Sequence, residues 1–207
     1  LIRLNSQGLK YWKAFSTFSI SFVYNDEIMV QDDDFGLFKQ SNDSLVLAPS
    51  GKGFINKRFY FAKQFNNRVL LANRIKGLYN YEPDSKKSEK LNRIVCNANQ
   101  TLIDDFVSSG IITNDHKIIL GTNSGGCIVV NEKGKILSKI TKGTGIQHNN
   151  IHALYLDTDE NLWLGLDKGI SRCDIAEPIS YWNELQGLEG SVTSMIKYKE
   201  ILFIGTL

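Results

Sequence analysis

The sequence predicts an all-β fold, a β-propeller built of four-stranded antiparallel blades. One pattern recurs along the 207 residues: an alternating apolar run, a short polar turn, a second apolar run that ends at a defined position, and then a glycine. The residue aligned at the end of the second apolar run is Gln31, Ala72, Gly121, Gly165 and Gly205 in successive copies, and these residues are 40 to 49 positions apart. A period of this length made of short strands is typical of a propeller, with one four-stranded sheet per repeat.

The composition excludes several classes of protein. The chain is 42% hydrophobic and 22% charged, with a formal net charge of +2. No apolar run approaches the ~20 residues that a membrane span needs, so we expect no direct membrane insertion. The near-neutral charge, without a basic stripe, argues against nucleic acid as the main partner. The densest charge run, at residues 86–90, is interpreted as a solvated loop.

The repeat divides the chain into four whole blades and two half-blades. The half-blades cover residues 1–16 and 187–207, and the whole blades cover about 17–50, 51–97, 98–143 and 144–186. The first half-blade supplies third and fourth strands and the last supplies first and second strands. Either the two halves complete a fifth blade, or the segment belongs to a longer, seven-bladed propeller. We favour the longer propeller because both ends of the chain fall within predicted strands.

Two finer expectations follow from strand alternation. In the third whole blade the first strand is expected at residues 102–107, and in the fourth the outer strand is expected at 179–184. Trp163, like Ile119 and Phe203 in other copies, is expected to be a buried wedge between neighbouring blades. Four glycines that begin the third strands are expected to have positive φ, namely Gly36, Gly77, Gly126 and Gly169.

The best-preserved copy carries a family resemblance. The run Asn150-x-x-Ala153-Leu154-x-x-Asp157-x-x-x-Asn161-Leu162-Trp163-Leu164-Gly165, followed by Gly169-Ile170-x-Arg172, resembles the two-component regulator propeller repeat. So does the run from Gly187-Leu188 to Leu202-Phe203-Ile204-Gly205-Thr206. The resemblance extends over the whole chain and is strongest from about residue 145 to 207.

The resemblance implies a function and a location. Such repeats build the periplasmic sensor region of bacterial hybrid two-component histidine kinases, often those that respond to polysaccharide breakdown products. They are followed by a β-sandwich, a membrane helix and kinase domains. For this chain the resemblance implies a periplasmic ectodomain of an inner-membrane receptor, neighbouring propeller and sandwich domains as partners, a homodimer, and an oligosaccharide as ligand.

The sequence predicts no catalytic site, no metal and no cofactor. His148 and His152 would lie ~13 Å apart along a strand, so joint ligation of a metal needs a bend. Asp157-x-Asp159-x-Asn161 opens like a calcium loop, but Leu162 and Lys168 occupy the positions of the required Gly and Glu. No nucleophile elbow or phosphate-binding loop is present, and no pair of carboxylates stands out.

The candidate ligand-binding residues are chosen by position in predicted loops and by chemistry. Sugar faces stack on exposed aromatic rings, whereas sugar hydroxyls need polar partners. The rings of Trp12 and Trp182 meet the first requirement, although their recurrence at one blade position also fits structural packing. Arg74 and the connector residues Gln147, His148 and Asn149 lie in predicted loops, where ligand groups often bind.

Three functions remain open at this stage. The leading hypothesis is a non-enzymatic sensor that binds an extracellular oligosaccharide or a partner domain. A scaffold for protein–protein interaction would instead have an apolar patch rimmed by polar residues. A propeller glycoside hydrolase or lyase would bring carboxylates with perturbed pKa values together near the axis.

Overall fold

The computed structural model describes residues 1–5, 8–42, 44–175, 190–199 and 201–207. Contacts divide the chain into two compact units, Leu1–Ile175 and Ala176–Leu207. The described residues form antiparallel sheets with one short α-helix, which confirms the all-β propeller fold. No helix among the described residues is both long and apolar enough to cross a membrane.

The first unit contains one hairpin and four larger sheets, in which the strands pair in chain order. The hairpin joins β1 (Ile2–Asn5) to β2 (Gly8–Tyr11). Blade one comprises β3 (Phe18–Tyr24), β4 (Glu27–Asp32), β5 (Gly36–Ser41) and β6 (Ser44–Leu47). Blade two comprises β7 (Phe59–Phe65), β8 (Arg68–Asn73), β9 (Gly77–Tyr81) and β10 (Leu91–Arg93).

Blades three and four follow the same order. Blade three comprises β11 (Val107–Ile112), β12 (Ile118–Thr122), β13 (Cys127–Val130) and β14 (Ile136–Ile140). Blade four comprises the described strands β15 (Ile151–Leu156), β16 (Asn161–Leu166) and β17 (Ile170–Asp174). Its expected outer strand at 179–184 lies outside the described residues. All four glycines that begin or precede the third strands have positive φ, between 77° and 102°, as expected.

The first strands of successive blades lie side by side, and the hydrophobic cores lie between blades. β7 contacts both β3 and β11, and β11 also contacts β15. In blades two and three the second strand is buried on both faces, because alternate side chains enter alternate cores. In β12, Leu120 packs with blade two, whereas Ile119 packs with Leu162 of blade four. This arrangement explains why the second strands are continuous apolar runs.

Each first strand contains one bulge near its start. In β7, Phe59 pairs with Asn73 and Phe61 with Ala72, so Tyr60 is an extra residue without an opposite partner. The corresponding extra residues in β3, β11 and β15 are Ser19, Ser108 and His152. A bulge reorients a side chain and increases strand twist, and bulges are frequent beside binding sites.

The second unit contains a hairpin of β18 (Val192–Tyr198) and β19 (Ile201–Thr206). Its register shifts between Val192 and Ser194, as the first strands of the blades do. The hairpin therefore has the local geometry of the first two strands of a blade, as the sequence predicts.

The expectation of a strand at residues 102–107 is wrong. Helix α1 covers Ala98–Asp104, and β11 begins only at Val107. Ala98 and Leu102, four residues apart, are both fully buried, which is helical rather than strand spacing. The side-chain oxygen of Asn99 accepts a hydrogen bond from the Leu78 backbone N–H at 2.9 Å, which ties this turn to blade two.

That Trp163 is a buried wedge stays a prediction. Leu162 and Leu164 of β16 pack in the core with blade three, so Trp163 lies on the opposite face of the strand. The strands that follow blade four lie outside the described residues or in the second unit. The indole Nε1–H donates to Asp157 Oδ2 at 2.8 Å, and the Arg172 guanidinium lies 6.0 Å from the ring centroid. This hydrogen bond, with further donors from Asn161, lowers the pKa of Asp157 to about 2. Trp163 therefore orders a polar hairpin.

Candidate functional site

The connectors between blades and the loops after the second strands lie at one end of the first unit. In each antiparallel sheet the first strand starts at this end and the second strand finishes there. We call this surface the loop end. Its connectors are residues 12–17, 48–58, 94–106 and 141–150, and its loops are residues 33–35, 74–76, 123–126 and 167–169.

Two arginines contact one tyrosine at the loop end. The Arg74 guanidinium lies 3.9 Å from the centroid of the Tyr60 ring, and the Arg58 guanidinium lies 5.8 Å from it. Arg74 also lies 5.9 Å from the Phe106 ring, and its Nε–H donates to the Val107 carbonyl at 2.9 Å. We call Arg58, Tyr60, Arg74 and Phe106 the Arg74 cluster. Cation–π contacts of this kind hold guanidinium groups in place while their remaining donors stay available.

Phe106 gives this cluster an exposed aromatic ring on a strained backbone. Its side chain is 51% exposed, and its φ is 57°. A positive φ is an outlier for a bulky residue, and such outliers concentrate at ligand sites. Nearby, Asp33 Oδ2 lies 3.9 Å from Arg58 Nε, and Asp33 Oδ1 is buried without a hydrogen-bond partner among the described residues.

A second polar group lies on blade four. His152 Nε2 is hydrogen-bonded to Asp167 Oδ1, and Asn150 Nδ2 donates to Asp167 Oδ2 at 2.9 Å. His148 Nδ1 lies 3.9 Å from the same carboxylate. The hydrogen bonds from His152 and Asn150 lower the pKa of Asp167. We call these four residues the Asp167 cluster.

The histidines are closer together than a continuous strand allows. His148 precedes β15, which begins at Ile151, and a bulge follows at His152. The chain therefore bends between the two residues, and both imidazoles reach one carboxylate. Within the described part of the chain, no group of three or more His, Cys, Asp or Glu side chains is arranged to hold a metal ion.

The other candidates from the sequence have mainly structural contacts. Asn149 Oδ1 accepts from the Lys142 backbone N–H at 2.7 Å, and the Asn149 carbonyl accepts from Gly126 at 2.9 Å. The Gln147 backbone N–H lies 3.4 Å from Ser171 Oγ. None of the contacts described joins this connector to Arg74.

The two tryptophans proposed as sugar platforms lie apart from these clusters. The Trp12 backbone pairs with Leu1 beyond the β1–β2 hairpin, and its ring lies 5.4 Å from the Lys10 ammonium. Trp182 lies outside the described residues. As ligand-binding residues, both remain predictions.

The sequence reasoning did not select Tyr60, and it considered His152 only as a metal ligand. Tyr60 and His152 are the extra residues of their bulges, whereas an alternating pattern treats them as ordinary strand positions. A signal was available in the repeat, because the bulged position holds Ser19, Tyr60, Ser108, His152 and Thr193 in successive copies. Four of these five residues are polar or small at the start of an otherwise apolar strand, and Tyr60 carries a hydroxyl.

The geometry supports recognition more directly than catalysis. The Arg74 cluster offers an exposed ring beside guanidinium donors, and the Asp167 cluster offers an ionised carboxylate with imidazole and amide partners. Rings bind the apolar faces of a ligand, while charged and amide groups bind its hydroxyls.

Comparison with solved structures shows the same fold in larger proteins. PorZ, a surface component of the type-IX secretion system of Porphyromonas gingivalis, is 16% identical over 76% of this chain, with a TM-score of 0.59. The chain has the fold of a β-propeller segment. The extracellular domains of two hybrid two-component systems of B. thetaiotaomicron are 14% and 15% identical over 92% and 91% of the chain, with TM-scores of 0.59 and 0.54.

The segment is short compared with these structures. It spans 26% to 28% of the length of the three chains. No protein-family model matches it, and no curated protein matches it either. At identities this low the likeness establishes the fold, and the two-component propeller family stays a prediction from the repeat.

Proposed function

We propose that the chain is the ligand-sensing propeller segment of a two-component signalling receptor, located in the periplasm, and that its loop end binds an extracellular oligosaccharide. The observation that carries the proposal is the run of four blades whose fold matches extracellular domains of hybrid two-component systems over more than nine-tenths of the chain. The proposal assigns the segment no catalytic activity, cofactor or metal.

The loop end suits a saccharide for a chemical reason. A sugar presents one apolar face and several hydroxyls, and the Arg74 cluster presents an exposed Phe106 ring beside two guanidinium groups. Because Arg74 is fixed by Tyr60 and by the Val107 carbonyl, little side-chain entropy is lost when a ligand binds. Binding at this cluster therefore needs little rearrangement.

Signalling would follow from a difference in affinity. In this proposal the receptor is a homodimer with two arrangements, and neighbouring propeller and sandwich domains transmit the change. An oligosaccharide shifts the equilibrium only if it binds one arrangement more tightly than the other.

The test is oligosaccharide binding by the protein and by a Phe106→Asn variant. Asparagine tolerates positive φ, so this change removes the ring and keeps the backbone conformation. Tyr155→Asn removes another exposed ring, from β15, and is the control. In a screen by calorimetry, we expect a neutral or acidic oligosaccharide to bind, and Phe106→Asn to weaken it by about tenfold or more. The control is expected to keep its affinity.

Three results would contradict the proposal. Equal affinities for Phe106→Asn and the unaltered protein would exclude the Arg74 cluster as the site. A folded protein that binds no oligosaccharide but binds a receptor domain would favour the scaffold function. Release of shortened sugars from a bound oligosaccharide would indicate the hydrolase or lyase function instead.

A further inference from the structure

A cavity of about 660 Å³ lies between the connector at residues 48–58 and the third and fourth strands of blade two. None of the residues of the Arg74 or Asp167 clusters lines it. The connector is anchored at the mouth, because the Tyr81 hydroxyl donates to the Pro49 carbonyl at 2.7 Å and Ser50 Oγ lies 3.4 Å from the Ser88 carbonyl. Small-molecule sites occupy roughly 300–1,000 Å³, so this cavity has the size of a ligand site.

The lining of the cavity is strongly cationic. Its charged residues are Lys52, Lys57, Lys76, Lys90, Arg93 and Glu89. Among the described residues, none of the five cations makes an ion pair with an Asp or Glu side chain. The cavity therefore holds an excess of positive charge. The rest of the chain balances it, because the net charge of the whole chain is only +2. A concave surface lined by one sign of charge concentrates counter-ions.

Backbone carbonyls hold three of the cations in place without neutralising them. The Lys57 ammonium donates to the Gly53 carbonyl at 2.7 Å, and the Arg93 Nε–H donates to the Lys76 carbonyl at 2.9 Å. The Lys90 ammonium donates to the Pro83 carbonyl. Each bond uses one donor of a group that has three or five, so further donors remain for a ligand. Lys90 is half-buried, which corrects the interpretation of the whole charge run at 86–90 as a solvated loop.

Hydroxyl groups complete the lining. Ser50, Ser88 and Tyr79 contribute to the wall of the cavity. Burial raises the pKa of Tyr79, so its phenol stays neutral at physiological pH. Ser50 has a φ of 54°, a conformation that few non-glycine residues adopt, at the point where the connector forms the wall. The site therefore combines several positive charges with neutral hydroxyls.

We propose that this cavity binds a small polyanion, a molecule that carries two or more carboxylate, sulfate or phosphate groups on a hydroxyl-bearing frame. Five cations spread over three chain segments match separated anionic groups better than one compact ion. The hydroxyl groups of the wall match those of such a frame. The proposal depends only on the cavity and is independent of the receptor function.

The test measures binding of four probes to the protein by calorimetry at low ionic strength. A disulfated uronate disaccharide and fructose 1,6-bisphosphate represent the saccharide and phosphate sources of polyanions, and cellobiose and inorganic phosphate are the controls. A Lys52→Glu/Lys76→Glu variant reverses two exposed charges of the lining, and a Lys135→Glu/Lys139→Glu variant makes the same change in net charge on blade three. We expect at least one polyanion to bind the unaltered protein. Its affinity is expected to fall by about tenfold or more in the first variant and to stay within about twofold of the unaltered protein in the second.

Lysine acetylation of the unaltered protein gives a second measurement that does not depend on folding of a variant. The bound polyanion is expected to slow acetylation of Lys52 and Lys76 and to leave Lys135 unaffected. Tighter binding of the sulfated disaccharide identifies a saccharide as the source of the anionic groups, and tighter binding of fructose 1,6-bisphosphate identifies a phosphate compound. The proposal is overturned if neither polyanion binds, if inorganic phosphate binds as tightly as both, or if Lys52 and Lys76 are not protected.

Discussion

Replacing Phe54 with alanine is expected to lower the free energy of unfolding by about 3–5 kcal/mol. The Phe54 side chain is fully buried in the core between blades one and two. Its ring centroid lies 5.5 Å from that of Phe59 and 5.0 Å from that of Tyr81, in an edge-to-face arrangement with the latter. The truncation therefore removes aromatic contacts and leaves a cavity at the place where the connector joins the two blades. Urea unfolding followed by circular dichroism measures the loss.

Phe35→Ala is the matched control. Phe35 lies in the loop before β5 and is half exposed, although its ring contacts Phe15. We expect this change to lower the free energy of unfolding by less than about 1 kcal/mol. If the two variants lost the same stability, Phe54 would not lie in a core shared by two blades.

Replacing Gly126 with alanine is expected to lower the free energy of unfolding by more than about 2 kcal/mol. Gly126 has a φ of 77°, which an L side chain adopts only with strain. An added Cβ would lie 2.2 Å from the Ile140 carbonyl oxygen, a backbone atom that moves only if the connector moves. The Gly126 N–H donates to the Asn149 carbonyl, so the displacement would extend toward the Asp167 cluster. Chemical unfolding measures the loss, and amide exchange at residues 141–150 shows where the structure loosens.

Gly145→Ala separates the two causes. Gly145 also has positive φ, 114°, but an added Cβ would meet nothing within 4 Å. This control contains the backbone strain without the collision. We expect Gly126→Ala to lose clearly more stability than Gly145→Ala, and equal losses would exclude a close approach between Gly126 and Ile140.

Strand alternation was sufficient to predict most of the fold. The strands Phe18–Tyr24, Cys127–Val130 and Ile201–Thr206 show the alternating or continuous apolar pattern from which the sequence predicts strands. Phe18–Tyr24 alternates between larger apolar and smaller or polar side chains, and Cys127–Val130 buries both faces. Such local features are visible in one sequence.

The misplaced strand at residues 102–107 arose where contacts distant in sequence decide the structure. Helix α1 is only seven residues long, and burial of Ala98 and Leu102 against blade two stabilises it. A seven-residue helix leaves little periodic signal in the sequence.

The candidate site was only partly accessible to sequence reasoning. Arg74 was selected for its place in a loop, but its neighbours Tyr60 and Phe106 come from different blade segments. The cavity of the polyanion proposal is lined by residues from three separate stretches, of which only the run at 86–90 stood out as charged. Packing of successive blades creates both surfaces, and a repeat pattern does not record which side chains meet between repeats.

The central claim is that successive blades pack against each other through their first two strands. One measurement tests this packing directly. Gly110 of β11 approaches the Phe61 ring of β7, and Gly121 of β12 approaches the Ile151 side chain of β15. We expect nuclear Overhauser effects between the Gly110 Hα and the Phe61 ring and between the Gly121 Hα and the Ile151 methyl groups. If all four residues are assigned and both effects are absent, blades two, three and four do not pack in chain order, and the Arg74 cluster does not form.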